Sequence, residues 1–408
     1  MTDTFIPFHR PSLGEEEINE VSETLRSGWL TTGPRTARFE REFAEYVGAP
    51  HAIALNSATA ALHLALAGLE IGPGDEVITT PMTFCATVQA ILHTGATPVL
   101  ADIRPDGNID PEEIEKRITA RTRAIIPVHM AGLPCEMNAI WDIARERRLH
   151  VIEDAAHAAG ARYRGRPIGA GPFGSSPASD AVAFSFYATK NLTTGEGGML
   201  VTHRPELAEN ARMLSLHGTS HNAWERYTDR GDWYYEVLAH GFKYNLSDIH
   251  AALGIHQLRK LERFTEKRAS YAAVYNRMLG SLDEVEVPPA SPVCRHAWHL
   301  YVLRLNLTRL RIGRDQFIRE LRSKGIGASV HFIPIPLHPY FAKLPLANHV
   351  YPRALDLYQR IVSLPLYPAL REEQVEYVAR RVREIVEGSR RPRYLAPGQP
   401  AARLPLSA

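Results

Sequence analysis

Two residues of this chain, Asp154 and Lys190, could carry out chemistry on an aldehyde. Asp154 follows the apolar run Val151-Ile152 and Lys190 comes soon after Phe184-Ser185-Phe186, so each is expected just past a buried strand. A lysine there is costly unless it is paired or neutral, and desolvation lowers its pKa, which makes the amine a nucleophile. Asp154 could pair with a cationic ring nitrogen, although a helix N-cap aspartate explains its position equally well.

Two segments of small residues could lie against a bound ligand. Asn56-Ser57-Ala58-Thr59-Ala60 stands where a strand gives way to a helix, and the N–H groups and hydroxyls at such a helix start can bind a phosphate. An ordinary N-cap is the simpler explanation of this segment taken alone. The run Gly195-Glu196-Gly197-Gly198 permits a tight turn beside a ligand, and a turn without a ligand explains it equally well.

These features together match the requirements of a pyridoxal-phosphate (PLP) site. Such a site needs a phosphate cradle, a carboxylate for the pyridinium nitrogen, an aromatic ring on the cofactor face and a lysine that forms the Schiff base. Asp154 and Lys190 lie on successive predicted strands, and Phe84 is the candidate ring. The combination predicts PLP as the cofactor and Lys190 as the catalytic residue that binds it.

Strands and helices that alternate along the chain would bring these residues together. Helical patterns at Cys85–His93, Pro111–Thr119 and Glu136–Arg147 separate short apolar runs. Such alternation predicts a mostly parallel sheet covered on both faces, with ligands beyond the carboxyl ends of its strands. The predicted strands are His51–Leu55, Glu76–Thr80, Thr97–Ile103, Arg123–His129, His150–Ala155, Ala181–Phe186 and Gly198–Thr202.

A second, smaller α/β unit is predicted after a long helix. Ser247 is the expected N-cap of this helix, Asp248–Arg268, which could bridge two domains. We predict a large PLP-binding domain over residues 1–260, a small C-terminal domain over 261–389 and a disordered tail over 390–408. The elements expected in the small domain are the strands His299–Leu307 and Ile326–Ile333, the helix Arg314–Lys324, and helices near 353–362 and 371–388.

Composition argues against several classes of function. The 408 residues carry a net charge of +2, which gives no support to a nucleic-acid partner. Cys85, Cys135 and Cys294 have neither metal-ligand nor disulfide spacing, so we expect no metal and free thiols in a reducing compartment. No signal-peptide core and no run of roughly 18 apolar residues is present, so we expect no membrane contact and a cytoplasmic location.

Several motifs resemble those of the DegT/StrS family of sugar aminotransferases. The matching stretches run from Phe8-His9-Arg10-Pro11 to Ser363-Leu364-Pro365-Leu366, and include Glu153-Asp154-Ala155-Ala156-His157-Ala158 and His296-Ala297-Trp298-His299-Leu300. The resemblance implies the α/β fold of fold-type-I PLP-dependent transferases, with a mostly parallel mixed sheet in the large domain. Within the family, the chain is most similar to the UDP-4-amino-4-deoxy-L-arabinose type, which aminates a UDP-linked 4-keto-pentose with L-glutamate.

The resemblance also implies a role for each residue around the cofactor. Phe84 would stack on the cofactor ring, Asp154 would pair with the ring nitrogen, and His157 would lie near the phenolic oxygen. His157 is glutamine in many relatives and residue 58 is often glycine, but both variants occur in the arabinose-type branch. The residues that would hold the phosphate are Ala58, Thr59 and Ser185.

Residues outside the cofactor motifs are candidates for a shared site and for the acceptor. Asn245, in the matching stretch Gly241-Phe242-Lys243-Tyr244-Asn245, would reach the cofactor phosphate of a neighbouring subunit, which implies a homodimer. His331, on the predicted strand Ile326–Ile333, could bind sugar hydroxyls, or could be an ordinary strand histidine. A loop suited to packing on a base or a sugar, or to anchoring the core through its tryptophan, contains Trp29, Thr31 and Gly33.

A lysine at position 190 favours transamination, because relatives with histidine there dehydrate their substrates. L-glutamate would leave as 2-oxoglutarate, and its amino group would pass to a nucleotide-linked 4-keto sugar in amino-sugar biosynthesis. A PLP-dependent sugar dehydratase or isomerase is one alternative, and Lys190 counts against it. A non-catalytic sensor of the same fold is another, and the intact pair of Asp154 and Lys190 counts against that.

Overall fold

A computed structural model describes residues 5–171, 179–220 and 234–391 of the chain. The helices in these ranges are α1 (Glu15–Ser27), α2 (Pro34–Val47), α3 (Ala58–Gly68), α4 (Cys85–His93), α5 (Pro111–Arg117), α6 (Met137–Arg147), α7 (Pro205–Ser215), α8 (Asp248–Leu279), α9 (Arg314–Ser323), α10 (Pro352–Arg360) and α11 (Glu372–Gly388). The strands are β1 (His51–Leu55), β2 (Glu76–Thr79), β3 (Thr97–Leu100), β4 (Thr122–Ile125), β5 (His150–Asp154), β6 (Arg162–Tyr163), β7 (Arg166–Pro167), β8 (Ala181–Ser185), β9 (Gly198–Thr202), β10 (Val285–Glu286), β11 (Cys294–Arg295), β12 (Tyr301–Leu305) and β13 (Ile361–Leu364).

The central sheet has seven strands in the order β1-β9-β8-β5-β4-β2-β3. Its neighbours are parallel except where β9 pairs, because β9 runs antiparallel to both β8 and β1. The predicted mostly parallel sheet is therefore confirmed. The parallel pairing of β5 with β8 sets Asp154 opposite Ala183, so the carboxyl ends of these two strands lie at the same edge of the sheet.

Both faces of the central sheet are buried, which explains why its strands are continuous apolar runs. All five residues of β8 are buried. Val182 and Phe184 pack into the core on one face, whereas Ala181 and Ala183 pack into the core on the other. Because strand side chains alternate between the two faces, such a strand must be apolar at every position when helices cover both sides.

A second sheet of three antiparallel strands, in the order β10-β12-β13, lies in the C-terminal part of the chain. Tyr275 from α8, Tyr301 from β12 and Val378 from α11 are buried in the core that covers this sheet. The predicted domain boundary at residues 260–261 falls inside α8, which continues to Leu279. The division into two domains itself stays a prediction.

The predicted strand Ile326–Ile333 is wrong, because this segment makes only single bridges, from Ile326 to Ile6 and from Ser329 to Ser363. Gly325 has a φ of +74°, and a side chain at Gly327 would meet the backbone nitrogen of Phe8 at 2.7 Å. The segment therefore crosses close to the N-terminal residues and does not pair along its length.

Other boundaries also differ from the prediction. The helix expected near 353–362 ends at Arg360, and the buried run Ile361–Leu364 forms β13. Helices α1 and α2 were not predicted, whereas α4 and α11 lie where they were expected. Of the predicted disordered tail over 390–408, residues 392–408 lie outside the described residues.

Within the described ranges, no helix is long and apolar enough to cross a membrane, and no cluster of histidine, cysteine, aspartate or glutamate residues could hold a metal ion.

Candidate active site

A cavity of about 470 Å³ opens at the carboxyl ends of β5 and β8. Its wall combines residues of the central sheet with Leu364 at the end of β13 and with His9 from the N-terminal segment. The structure brings together in this wall the predicted residues Ala58, Thr59, Phe84, Asp154, His157, Ser185, Lys190 and His331. Trp29, Thr31, Gly33 and Asn245 do not line it.

The start of α3 forms one side of the cavity. Ser57 is extended, with a φ of −167°, and its hydroxyl accepts a hydrogen bond from the backbone nitrogen of Ala60 at 3.1 Å. Ser57 is therefore an N-cap, as the simpler interpretation required. The first N–H groups of a helix have no partner inside it, so those of Ala58 and Thr59 remain available to an anion.

Gly198 at the start of β9 packs directly against this helix start. A Cβ at Gly198 would lie 2.4 Å from the carbonyl carbon of Ser57 and 2.5 Å from the nitrogen of Ala58. Ser185 at the end of β8 is the pairing partner of Gly198, and its hydroxyl accepts a hydrogen bond from the nitrogen of Tyr187 at 3.4 Å. The glycine thus lets the helix start and the two strand ends approach closely, as a compact anion cradle requires.

Asp154 is buried, with 5% of its surface exposed. Its Oδ2 accepts a hydrogen bond from the Thr87 hydroxyl at 2.8 Å, and its Oδ1 accepts one from the Ala156 nitrogen at 3.1 Å. Burial raises the pKa of Asp154, while these hydrogen bonds and the charge of Lys190 act in the opposite direction. No helix begins after Asp154, so the alternative of a helix-capping aspartate is wrong.

Lys190 lies in a turn after β8, where its backbone nitrogen donates a hydrogen bond to the carbonyl of Tyr187 at 2.9 Å. Desolvation lowers the pKa of the Lys190 amine to about 8, and the charge of Asp154 limits this fall. At pH 7 about a tenth of the amine is then neutral, far more than for a lysine with the usual pKa near 10.5. A neutral lysine amine beside a buried carboxylate is suited to attack an aldehyde and then to transfer protons.

Imidazole rings make up much of the remaining wall. The ring of His157 lies 4.3 Å from that of His299 and 5.6 Å from that of Phe332, measured between centroids. Nδ1 of His157 is buried and has no hydrogen-bond partner among the described residues. Burial lowers the pKa of both histidines well below the usual value, so both rings are neutral. A buried polar atom without a partner indicates that a ligand is expected to supply one.

Two further predicted residues project from the cavity wall. Phe84 is the N-cap residue of α4, and 60% of its surface is exposed although its ring is large and apolar. Its ring lies 6.1 Å from that of Phe332. His331 stacks on Phe8 at 5.3 Å, and its Nδ1 lies 2.9 Å from the hydroxyl of Ser363. An exposed aromatic ring at a cavity can cover a planar ligand, and a fixed imidazole can bind a hydroxyl.

The four predicted residues that do not line the cavity form a second group, which we call the Trp29–Asn245 cluster. Trp29 donates from its indole nitrogen to the carbonyl of Thr32 at 3.1 Å, and a Cβ at Gly33 would lie 2.0 Å from that nitrogen. The carbonyl of Thr31 accepts a hydrogen bond from the nitrogen of Asp248 at 3.1 Å. The tryptophan therefore packs on its own loop.

Asn245 joins this cluster through its side-chain amide. Its Nδ2 donates to the hydroxyl of Thr32 at 2.7 Å, and its Oδ1 accepts from the Lys243 ammonium at 2.6 Å. The carboxylate of Asp248 accepts hydrogen bonds from the nitrogen and the hydroxyl of Thr36, which fixes the start of α2 to the start of α8. Asn245 also bridges Leu55, two residues before Ser57, so the cluster adjoins the start of α3 although none of its four residues lines the cavity of the same chain.

Sequence reasoning missed several residues that shape the cavity. Thr87 was not assigned, although it follows Phe84 by one helical turn and bonds Asp154. His299 stands in a matching motif but received no role, and Phe332 was absent from the predicted site. Thr83 and Thr87 are four residues apart in the sequence, about one helical turn, and their hydroxyls lie 2.7 Å apart. This spacing could have identified Thr87 from the sequence.

The residues present in the cavity fit PLP. The free N–H groups of the α3 start suit its phosphate, the Asp154 carboxylate suits its ring nitrogen, and the partnerless Nδ1 of His157 suits its phenolic oxygen. Lys190 supplies the amine for the aldehyde, and the exposed ring of Phe84 can cover the cofactor face.

Comparisons with known proteins agree with this assignment. The profile of the DegT/DnrJ/EryC1/StrS aminotransferase family matches residues 11–383. MJ1066 of Methanocaldococcus jannaschii is 50% identical over 390 residues, which cover 95% of this chain and 99% of the relative. SpsC of Bacillus subtilis, a spore coat polysaccharide biosynthesis protein, is 49% identical over 388 residues, which cover 94% and 98%.

Solved structures show the same fold. Spr1654 of Streptococcus pneumoniae, solved in PLP and PMP forms, is 34% identical with a TM-score of 0.86, covering 94% of this chain and 99% of that one. Helicobacter pylori PseC, an aminotransferase involved in the biosynthesis of pseudoaminic acid, is 32% identical with a TM-score of 0.86, covering 94% and 100%. The fold-type-I architecture is thereby confirmed, and so is PLP as the cofactor.

Proposed function

Because this chain belongs to the DegT/DnrJ/EryC1/StrS aminotransferase family and is a PLP-dependent sugar aminotransferase, we propose that it transfers an amino group from L-glutamate to a nucleotide-linked 4-keto sugar. A UDP-linked sugar is the acceptor that we propose first. The observation that supports the amino transfer is that one cavity holds both the Lys190 amine, with a pKa of about 8, and the buried carboxylate of Asp154.

PLP, when bound, supplies an aldehyde carbon that accepts the amino group and a ring that withdraws electrons from the reacting carbon. We assign to Lys190 the attachment of the cofactor and the movement of a proton at the α-carbon of the amino donor, since its neutral amine can act as a base. Asp154 would hold a proton on the ring nitrogen. Thr87 would orient that carboxylate through its 2.8 Å hydrogen bond.

The remaining cofactor residues would bind and orient. The N–H groups of Ala58 and Thr59 and the hydroxyl of Ser185 would hold the phosphate, since they line the cavity where α3 begins. Phe84 would cover one face of the ring and exclude water from it. His157 would pair its free Nδ1 with the phenolic oxygen.

The acceptor sugar is assigned to the outer part of the cavity. His331 could hydrogen-bond a sugar hydroxyl, because its ring lines the cavity and is held there by Phe8 and Ser363. Burial lowers the pKa of His331 to about 4, so the ring is neutral; since Ser363 occupies Nδ1, Nε2 is the atom that would donate to or accept from the sugar, depending on the tautomer. A cytoplasmic location stays a prediction from the three cysteines, none of which forms a disulfide.

We further propose that the active unit is a homodimer in which the Trp29–Asn245 cluster of one chain completes the cavity of the other. Two observations support this. The cluster lies outside the cavity of its own chain, and α1 exposes the large apolar residues Ile18 and Leu25 by 54% and 55%, with Leu30 next to it at 44%. Exposed apolar residues that are grouped in this way are typical of interfaces.

The reaction is tested by incubating the PLP-loaded protein with L-glutamate and a panel of nucleotide keto sugars, followed by mass spectrometry. We expect 2-oxoglutarate and one aminated sugar nucleotide in equal amounts, and no product from the Lys190→Ala variant. Turnover of free α-keto acids without turnover of any nucleotide sugar would contradict the proposed acceptor.

The shared site is tested by mixing two inactive variants, Lys190→Ala and Asn245→Ala. Subunit exchange should produce mixed dimers with one intact site, so activity should return when the two variants are mixed. Each variant incubated by itself should stay inactive. If exchange is shown by mass spectrometry of the intact dimers and no activity returns, Asn245 does not act across the interface.

A further inference from the structure

Arg268 on α8 is a buried cation that has no counter-ion in the described part of the chain. Its side chain belongs to the core, with 1% of its surface exposed. One guanidinium nitrogen donates to the backbone carbonyls of Leu366, Trp298 and His299, at 2.6, 3.2 and 3.3 Å, whereas Nε has no partner. No carboxylate pairs with it in residues 5–171, 179–220 and 234–391. Burying an unpaired charge is costly, so such groups usually have a function.

The guanidinium lies immediately behind the wall of the active-site cavity. Two of the three residues whose carbonyls it bonds, His299 and Leu366, line that cavity. Its charge also lowers the pKa of His9 and His299, both of which line the cavity, in addition to the larger effect of their burial. Burial lowers the pKa of Arg268 to about 9, so the group still carries its charge at neutral pH.

The cavity itself offers few charges to an anionic amino donor. Lys190 is the single cation among the described residues that line it, and Asp154 and Glu196 are the acidic ones. Lys190 is engaged in the reaction, so it cannot also neutralise a second carboxylate of the donor. Arg268 is a further positive charge that acts on this wall, through its effect on His9 and His299.

We propose that Arg268 is a specificity-determining residue of this aminotransferase, whose buried charge favours amino donors that carry an additional carboxylate over neutral donors of the same size. The inference rests on the proposed function and names the class of donor for it. Two unit charges about 10 Å apart, at an effective dielectric constant of about 20, interact strongly enough to change an equilibrium by roughly tenfold. A charge effect of that size would separate glutamate from glutamine, which differ by one charge and hardly in shape.

The test compares the amino-donor half-reaction of the PLP-loaded protein with L-glutamate and with L-glutamine, followed by cofactor absorbance. In the Arg268→Met variant, we expect the ratio of kcat/KM for glutamate to kcat/KM for glutamine to fall about tenfold. The Arg268→Lys variant should keep a ratio within about threefold of that of the wild type, because it retains the charge. Arg383→Met is the matched control, since Arg383 also donates to a backbone carbonyl, that of Met278, but does not line or back the cavity.

Both variants can overturn the proposal independently. If Arg268→Met slows both donors equally, the residue only supports the fold and the inference is wrong. If Arg268→Met does not fold, Arg268→Gln takes its place, because it removes the charge and keeps a hydrogen-bond donor for the carbonyls; a wild-type ratio in this neutral variant would overturn the proposal. A tenfold fall of the ratio in Arg268→Lys would overturn it as well, because that variant retains the charge. Failure of the wild-type protein to react with glutamate would contradict the proposed function instead, so the two failures are distinguishable.

Discussion

Replacing Gly198 with alanine places a methyl group inside the wall of the phosphate cradle. The new Cβ would lie 2.4 Å from the carbonyl carbon of Ser57 and 2.5 Å from the nitrogen of Ala58, and these backbone atoms cannot rotate away. Either β9 or the start of α3 must therefore move. Overpacking of this kind costs about 1–3 kcal/mol, and if that cost falls on the cofactor complex, PLP should bind roughly 5- to 150-fold more weakly.

The assay is a titration of the apo-protein with PLP, followed by absorbance, together with thermal unfolding of the apo-protein. Gly388→Ala is the control, because nothing lies within 4 Å of a Cβ at Gly388 and this residue ends α11, outside the cavity wall. We expect the control to bind PLP as the wild type does. A Gly198→Ala variant with wild-type PLP affinity and an unchanged unfolding midpoint would refute the rigid contact between β9 and the cradle.

Four further predictions concern the residues assigned to chemistry and to the acceptor. Lys190→Ala should lose the amino transfer and the borohydride-reducible linkage to PLP, which mass spectrometry of the reduced protein detects. Asp154→Asn should slow the glutamate half-reaction roughly 100-fold and weaken PLP binding by less than about tenfold, because the carboxylate acts on the ring while the cradle holds the phosphate; near wild-type rates would contradict its role. The rate at which the apo-protein binds PLP, measured by stopped-flow absorbance, should rise with pH through about 8, since the neutral amine of Lys190 is the nucleophile. A pH profile of this rate with its midpoint near 10.5 would contradict the lowered pKa. Trp29→Ala and His331→Ala should raise the KM for the sugar while the glutamate half-reaction stays nearly unchanged, and equal damage to both half-reactions would assign these residues to the fold.

The central sheet was predictable from the sequence because most of its strands contain a short apolar run, and helical patterns separate many of these runs. The bounds of β1 and β9 agree with the prediction residue for residue. The strand predicted over Ile326–Ile333 is not formed, because a single sequence cannot show whether a pairing partner exists, and here the N-terminal residues cross the segment at Gly327. The strand β13 was not predicted, because its residues Ile361–Leu364 directly follow α10 and the predicted helix near 353–362 extended into them.

The site residues that could be predicted are those whose place at the end of a strand is enough to identify them. Asp154 and Lys190 could be found because the carboxyl ends of neighbouring parallel strands converge, so chain order already implies proximity. Gly198 was predicted in a turn that could lie beside a ligand and at the start of a strand, but its contact with Ser57 could not be predicted because it depends on the antiparallel placement of β9. In the sequence, Arg268 is one of several arginines of a long helix, and the carbonyls that it bonds belong to distant residues, Trp298, His299 and Leu366.

The protonation states in the cavity explain how the carboxylate of Asp154 could both hold a proton on the cofactor's ring nitrogen and adjust the pKa of Lys190. Without a ligand, the negative charge of Asp154 raises the pKa of Lys190 and so opposes the desolvation that lowers it. The neighbouring rings of His157 and His299 are neutral, so they do not replace that charge. A protonated ring nitrogen held against Asp154 would neutralise the carboxylate, and the pKa of Lys190 would then fall further. Occupation of the Asp154 side of the cavity therefore favours the neutral amine of Lys190, which is the form that can accept a proton from the amino donor.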